Sequence, residues 1–156
     1  MKVGEKGLAL IKESEGLRLK AYKCPAGVWS IGYGTTNGVT PGMEISESRA
    51  VALLKQDLRV AETYLNSLCI NFSQNQFDAL ASWIYNLGVG SFSKSTLRKK
   101  IVAKADDEAI TDEIVKWVNA GGKPLIGLKR RRVKEANLFL GKERYKVDVF
   151  GNIVKR

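Results

Sequence analysis

Between residues 16 and 42, glycine and proline recur too densely for a helix to run through: Gly16, Pro25, Gly27, Gly32, Gly34, Gly38, Pro41 and Gly42 all fall there. A glycine inside a helix costs about 1 kcal/mol relative to alanine, and a proline about 3 kcal/mol. This segment must therefore turn repeatedly. Within it Leu17, Leu19 and Ala21 alternate with Arg18 and Lys20, Pro25-Ala26-Gly27 makes a turn, and Val28-Trp29-Ser30-Ile31 resumes an extended run. The pattern predicts a small antiparallel sheet whose glycines allow close backbone approach, as the floor of a cleft requires.

Helical patterning lies on both sides. Val3, Leu8, Leu10 and Ile11 recur among Lys and Glu over residues 3–14, and Gly16 supplies a stop, which leaves Glu15 at the C-terminal end. From Ser46, a suitable N-cap, the stripe Val51, Leu54, Leu58, Ala61, Leu65 and Leu68 predicts one long helix to about residue 68. Ser73-Gln74-Asn75-Gln76 is a capping box, with Phe72 and Phe77 placed as a hydrophobic staple. The helix it opens is apolar nearly all round until Gly88, so it is expected at the centre of the core. Further helices are expected over about 94–104, 107–119 and 125–139, and residues 142–156 read as an extended tail. The fold class is α+β: a small N-terminal lobe with an antiparallel hairpin sheet (about 12–45), a long linking helix (about 46–68) and a mainly helical C-terminal lobe, with no internal repeat.

Composition removes several chemistries. Histidine is absent, which excludes Ser-His-Asp, Cys-His and His-metal sites, and Cys24 and Cys69 lack the paired spacing of a zinc site. No metal or cofactor is expected, and two free thiols fit a reducing compartment. Hydrolysis would rest on carboxylates, hydroxyls or a thiol. A formal charge of +10 implies attraction to a polyanion, whether nucleic acid, an acidic membrane surface or the anionic bacterial envelope. The runs Arg98-Lys99-Lys100 and Lys129-Arg130-Arg131-Arg132 read equally as solvated helix faces or as polyanion contacts. No helix-turn-helix, zinc-finger or RNA-binding pattern accompanies them, so no specific nucleic-acid partner is expected. No export signal, membrane anchor or stable membrane insertion is expected either.

Glu15 is the first candidate for chemistry, with Glu13 a weaker rival. A carboxylate at a helix C-terminus faces the negative end of the dipole, which favours the protonated form a general acid needs, although most carboxylates at helix ends are simply solvated.

The run from Glu15 to Gly34, EGLRLKAYKCPAGVWSIGYG, resembles the active-site segment of phage lysozymes, glycoside hydrolase family 24. The family's spacing of Glu, eight residues, Asp or Cys, five residues, Thr reads here as Glu15, Cys24, Ser30. The resemblance continues through Asn86-Leu87-Gly88-Val89-Gly90, Ser95-Thr96-Leu97, Trp117-Val118-Asn119-Ala120-Gly121-Gly122 and Gly127-Leu128-Lys129-Arg130-Arg131-Arg132, and so covers residues 5–141.

The resemblance implies a lysozyme-like fold and an endolysin that hydrolyses the β-1,4 bond between N-acetylmuramic acid and N-acetylglucosamine. Its partners would be peptidoglycan glycan strands and the anionic envelope. It would act as a monomer, held in the host cytoplasm until released to the periplasm and wall. Glu15 would protonate the leaving oxygen, Cys24 would serve the opposite side of the sugar, and Ser30 would hold the attacking water. Trp29, Gly34, Tyr85, Asn86 and Trp117 would line the saccharide cleft.

Two positions depart from the simplest pattern. Cys24 stands where Asp is common and needs a cation such as Lys20 or Lys23 to become a thiolate, and Ser30 lacks the methyl group that fixes a Thr rotamer. Thr35 stands where many relatives carry His, a position expected to matter for stability first. These departures keep open a second reading, a catalytically impaired wall-binding module.

Overall fold

A computed structural model describes all of residues 1–156. The first helix, α1 (Glu5–Glu15), begins at Gly4, which has no side chain with which to cap it. The cap comes from elsewhere: Asp78 accepts the Gly4 amide at 2.8 Å and the Gly7 amide at 3.0 Å. A carboxylate on the first amides of a helix satisfies orphan donors and meets the positive end of the dipole. Gly7 permits this approach, since a Cβ there would lie 2.8 Å from the Asp78 Cβ. Gly16 ends α1 at φ 74°, so the last helical residue is Glu15.

The glycine-rich segment forms the predicted hairpin. Strands β1 (Arg18–Lys23) and β2 (Trp29–Gly32) pair antiparallel, with Tyr22 opposite Ser30 and Lys23 opposite Trp29. Residues 43–45 add a short third edge, as the Ala21 amide reaches the Met43 carbonyl at 2.8 Å and the Ile45 amide reaches Leu19 at 2.9 Å. Ser46 caps α2 (Glu47–Asp57), its hydroxyl accepting the Arg49 amide at 3.1 Å. The expected single linking helix is two segments, α2 and α3 (Arg59–Ser67), separated at Leu58. Leu58 keeps right-handed torsions, and its buried side chain carries the apolar stripe across the break.

Helix α4 (Gln74–Leu87) opens with the predicted capping box, Ser73 and Gln76 exchanging bonds of 3.1 and 2.9 Å. It is the central helix. Around it α5 (Val89–Lys94), α6 (Thr96–Val102), α7 (Asp107–Ile114) and α8 (Ile126–Leu140) bury a core of 18 residues that includes Phe77, Leu80, Trp83, Phe92 and Phe139. A smaller cluster of Ile11, Tyr33, Ala50, Leu54 and Leu58 lies under the hairpin lobe. No helix is long and apolar enough to cross a membrane.

Two expectations fail locally. The helix predicted over 107–119 stops at Ile114, and the chain turns into a short hairpin, β3 (Asn119–Ala120) and β4 (Lys123–Pro124). Trp117 is drawn edge-on to Trp83 at 5.2 Å, and the Leu125 amide bonds the Val118 carbonyl at 2.9 Å. The tail is a second hairpin, β5 (Tyr145–Val147) and β6 (Ile153–Lys155), anchored by buried Tyr145 and by Asn137, whose amide nitrogen donates to the Tyr145 carbonyl at 3.0 Å.

Candidate active site

Glu15 is held from across the molecule. Its Oε2 accepts a 2.8 Å hydrogen bond from Nη1 of Arg131 on α8, an arginine only 5% exposed. Nη2 of Arg131 donates to the Ser82 carbonyl at 3.2 Å, and its Nε approaches Glu135 Oε2 at 3.4 Å. Glu135 is fully buried, accepts the Ser82 hydroxyl at 2.6 Å and lies 3.0 Å from Nε of Arg132. Arg132 in turn donates to the Asn86 side chain. Burial pushes the Glu135 carboxyl up, against the pull of Arg132, Arg131 and Ser82. The chain of contacts Glu15–Arg131–Glu135–Arg132–Asn86 thus ties α1, α4 and α8 into one rigid support. The run Lys129–Arg132 divides: Arg131 and Arg132 are interior, Lys129 is half-buried and Arg130 is exposed.

Beside Glu15 runs a groove of about 430 Å³, lined by Glu15, Gly34, Asp57, Tyr85, Asn86 and Val60 among others. Gly34 lies at φ +98°; a Cβ there would sit 3.4 Å from the Tyr85 hydroxyl and 3.7 Å from Glu15 Oε1. The turn holding it is closed by reciprocal 2.9 Å bonds between Ile31 and Thr35. Tyr85 donates its hydroxyl to the Tyr33 carbonyl at 2.7 Å. Burial, reinforced by the negative charges of Asp57 and Glu15, pushes its phenol far up, so Tyr85 is a neutral donor. Thr35 is buried and gives its hydroxyl to Asp57 Oδ2 at 2.6 Å, which ties the hairpin lobe to the end of α2. Burial raises the Asp57 carboxyl and the Thr35 hydrogen bond lowers it, with burial the larger effect.

The structure therefore brings Glu15, Gly34, Tyr85 and Asn86 to one groove. Cys24, Trp29 and Ser30 stay on the hairpin and are not among its lining residues. Ser30 on β2 is opposite Tyr22, and Cys24 follows β1 at the hairpin turn, its amide donating to the Val28 carbonyl at 2.9 Å. Ser30 is buried, its hydroxyl 3.4 Å from the Val28 carbonyl, and Cys24 is a half-buried free thiol. Of the cations expected near Cys24, Lys20 lies 3.6 Å from Glu44. Trp117 packs edge-on against Trp83 and lies off the groove.

Sequence reasoning missed Asp57 and Arg131 as site residues. Arg131 had a signal in Glu135 four positions on, a spacing that pairs charges on one helix face. Asp57 had no such signal, because the sequence predicts one helix running through it and the C-terminus of α2 appears only in the structure. A roomier cleft of about 800 Å³ between the N-terminal residues and α2–α3 contains Glu5, in the first turn of α1, and Glu62, whose carboxylate is occupied by the Val3 amide at 2.7 Å.

Comparison with known proteins decides the family. The family model for phage lysozyme matches residues 12–135. The chain belongs to the phage lysozyme family. It is accordingly a glycoside hydrolase, a lysozyme, with peptidoglycan as the substrate the family implies. The endolysin of Acyrthosiphon pisum secondary endosymbiont phage 1 is 42% identical over 144 residues, an alignment covering 89% of this chain and 98% of that protein. The active form of the P1 phage endolysin Lyz superposes with a TM-score of 0.80 at 33% identity, covering 90% of this chain and 86% of that one. The secreted inactive form of the same enzyme, also at 33% identity, covers 90% and 96% of the two chains but gives a TM-score of 0.59.

Proposed function

We propose that this lysozyme is an endolysin that cleaves the β-1,4 bond between N-acetylmuramic acid and N-acetylglucosamine, with Glu15 as proton donor, and that it acts as a monomer on the wall of the host it is released from. One observation carries the assignment of the acid. Arg131 occupies Oε2 of Glu15, while Oε1 has no protein partner and faces the groove beside Gly34. A carboxyl fixed through one oxygen presents the other to a glycosidic oxygen without rotamer loss, the pre-organisation that general acid catalysis requires.

Breaking the bond also needs negative charge or an activated water on the far side of the sugar. Cys24 and Ser30, both on the hairpin, are assigned that side, with Ser30 positioning water. Tyr85 and Asn86 are placed to bond sugar hydroxyls, Tyr85 through its phenol oxygen and Asn86 through the amide nitrogen left free by Arg132. Better agreement with the active than with the inactive P1 enzyme supports a site assembled for turnover. Nothing in the groove favours the impaired module.

Mass analysis of digested sacculi tests the proposal. Products ending in reducing N-acetylmuramic acid are expected; ends at N-acetylglucosamine, or intact glycan, would overturn the bond assignment.

A further inference from the structure

The C-terminal hairpin lies beyond residue 135, where the family match ends, and it carries the most exposed apolar side chains of the molecule. Val149 is 93% exposed and Phe150 84% exposed, both in the turn between β5 and β6. The turn is built to present them. Asp148 accepts the amides of Phe150 at 2.9 Å and Asn152 at 2.8 Å, and Lys129 on α8 donates to the Gly151 carbonyl at 2.6 Å.

Gly151 abuts Ile126 at the start of α8, where Ile126 is 45% and its neighbour Leu125 46% exposed. Two chain segments thus combine four outward apolar side chains, a clustering that isolated surface leucines do not show.

A basic groove of about 760 Å³ adjoins this tip between α8 and β5. It continues from the apolar patch along both elements, since Arg130 follows Ile126 by one helical turn and Lys146 and Val147 precede Val149 on the strand side. Lys6, Arg130, Lys142 and Lys146 line it without a carboxylate partner, and the single lining acid, Glu143, is bonded by Asn137 at 3.3 Å.

We propose that this hairpin is an interfacial anchor that docks the protein on an anionic phospholipid bilayer, Val149 and Phe150 entering the headgroup boundary while the four cations meet lipid phosphates. Apolar side chains at one end of a groove lined by Lys and Arg gain from both halves of such a surface, and the two contributions add. A second copy of the chain is disfavoured by charge, because the face that would pair is cationic on both partners. A glycan strand would leave the valine and isoleucine side chains without a matching apolar surface.

Docking of this kind does not depend on Glu15, so it stands or falls separately from the hydrolase reading. Co-sedimentation with vesicles of phosphatidylethanolamine and phosphatidylglycerol in equal parts tests it, against phosphatidylcholine vesicles. The native protein is expected to bind the anionic vesicles selectively and to release as salt is raised. Val149→Ser with Phe150→Ser is expected to bind about tenfold or more weakly, whereas Val149→Ile with Phe150→Trp and the single variant Glu15→Gln retain binding. Both tip variants should keep the native melting temperature, since the turn is held by backbone amides. Equal binding by the serine variant, or no preference for anionic vesicles, would overturn the proposal. So would a dimer in sedimentation velocity that the serine variant abolishes without any vesicle binding.

Discussion

Arg131 and Glu15 stand 116 residues apart in the chain and 2.8 Å apart in the structure, and the arginine is far more deeply buried than the carboxylate it holds. Its fork also serves the Ser82 carbonyl, so it is the joint at which α1, α4 and α8 meet. Arg131→Leu would leave buried Glu135 short of one cation and remove the second bond on the Ser82 carbonyl, which keeps its place in the α4 ladder. The expected loss is about 3–5 kcal/mol in urea-unfolding free energy, because the cost falls on the unpaired buried partner. Arg131→Lys should recover only part of it, since an ammonium cannot span both sites. A loss under about 1 kcal/mol for Arg131→Leu would show that the network is not structural.

Glu15→Gln keeps the shape of the side chain and an acceptor for Arg131 but has no proton to transfer. Turbidity clearing of permeabilised bacteria should fall by about 100-fold or more, with the melting temperature close to native. Cys24→Ala separates chemistry from packing at the hairpin: clearing should fall while the fold survives. Full activity in this variant would reduce Cys24 to a packing residue.

Gly34→Ala places a methyl group against the Tyr85 hydroxyl and Glu15 at a backbone angle of φ +98°. The left-handed conformation alone costs about 1–2 kcal/mol for a residue with a Cβ. Thermal unfolding should register that cost, and activity measured well below the transition should fall further because the methyl group narrows the groove. Native turnover in Gly34→Ala would show that substrate does not pass this point.

Thr35→Val removes the hydroxyl on Asp57 without changing shape, and should cost about 1–2 kcal/mol at neutral pH, the lower range because Asp57 also faces the groove. The Asp57 carboxyl lies above its ordinary range, burial outweighing the Thr35 hydrogen bond. The native state therefore binds this proton more readily than the unfolded chain. Ionised Asp57 opposes stability above its folded pKa, and the opposition fades as pH falls through it. Losing the hydroxyl raises that pKa further, so the deficit of Thr35→Val should be full at neutral pH and shrink on acidification. Chemical unfolding at several pH values reads this directly; a deficit that grew toward acid would contradict it.

Legibility followed the range of the interactions. The end of α1 at Gly16, the Ser46 cap and the Ser73–Gln76 box were readable because each is settled within about one helical turn. The stripe through Leu58 was readable as a face but not as a break, because a hydrophobic period survives a change in hydrogen bonding that leaves side-chain direction intact. The stop of α7 at Ile114 was hidden, since local propensity from Val115 to Asn119 opposes a helix too weakly to outweigh or reveal the packing of Trp117 on Trp83.

By itself the sequence determined the first hairpin and the helices that flank it, the position of Glu15 at a helix end and the family motif spanning Glu15, Cys24 and Ser30, all of which rest on short-range spacing. Tertiary structure alone decided that Arg131 is an interior cation holding Glu15, that Asp78 caps α1 and that Asp57 reaches the groove. A run of basic residues is favoured at the surface by solvation, and it moves inside only when packing brings carboxylates from distant segments to offset the loss of water.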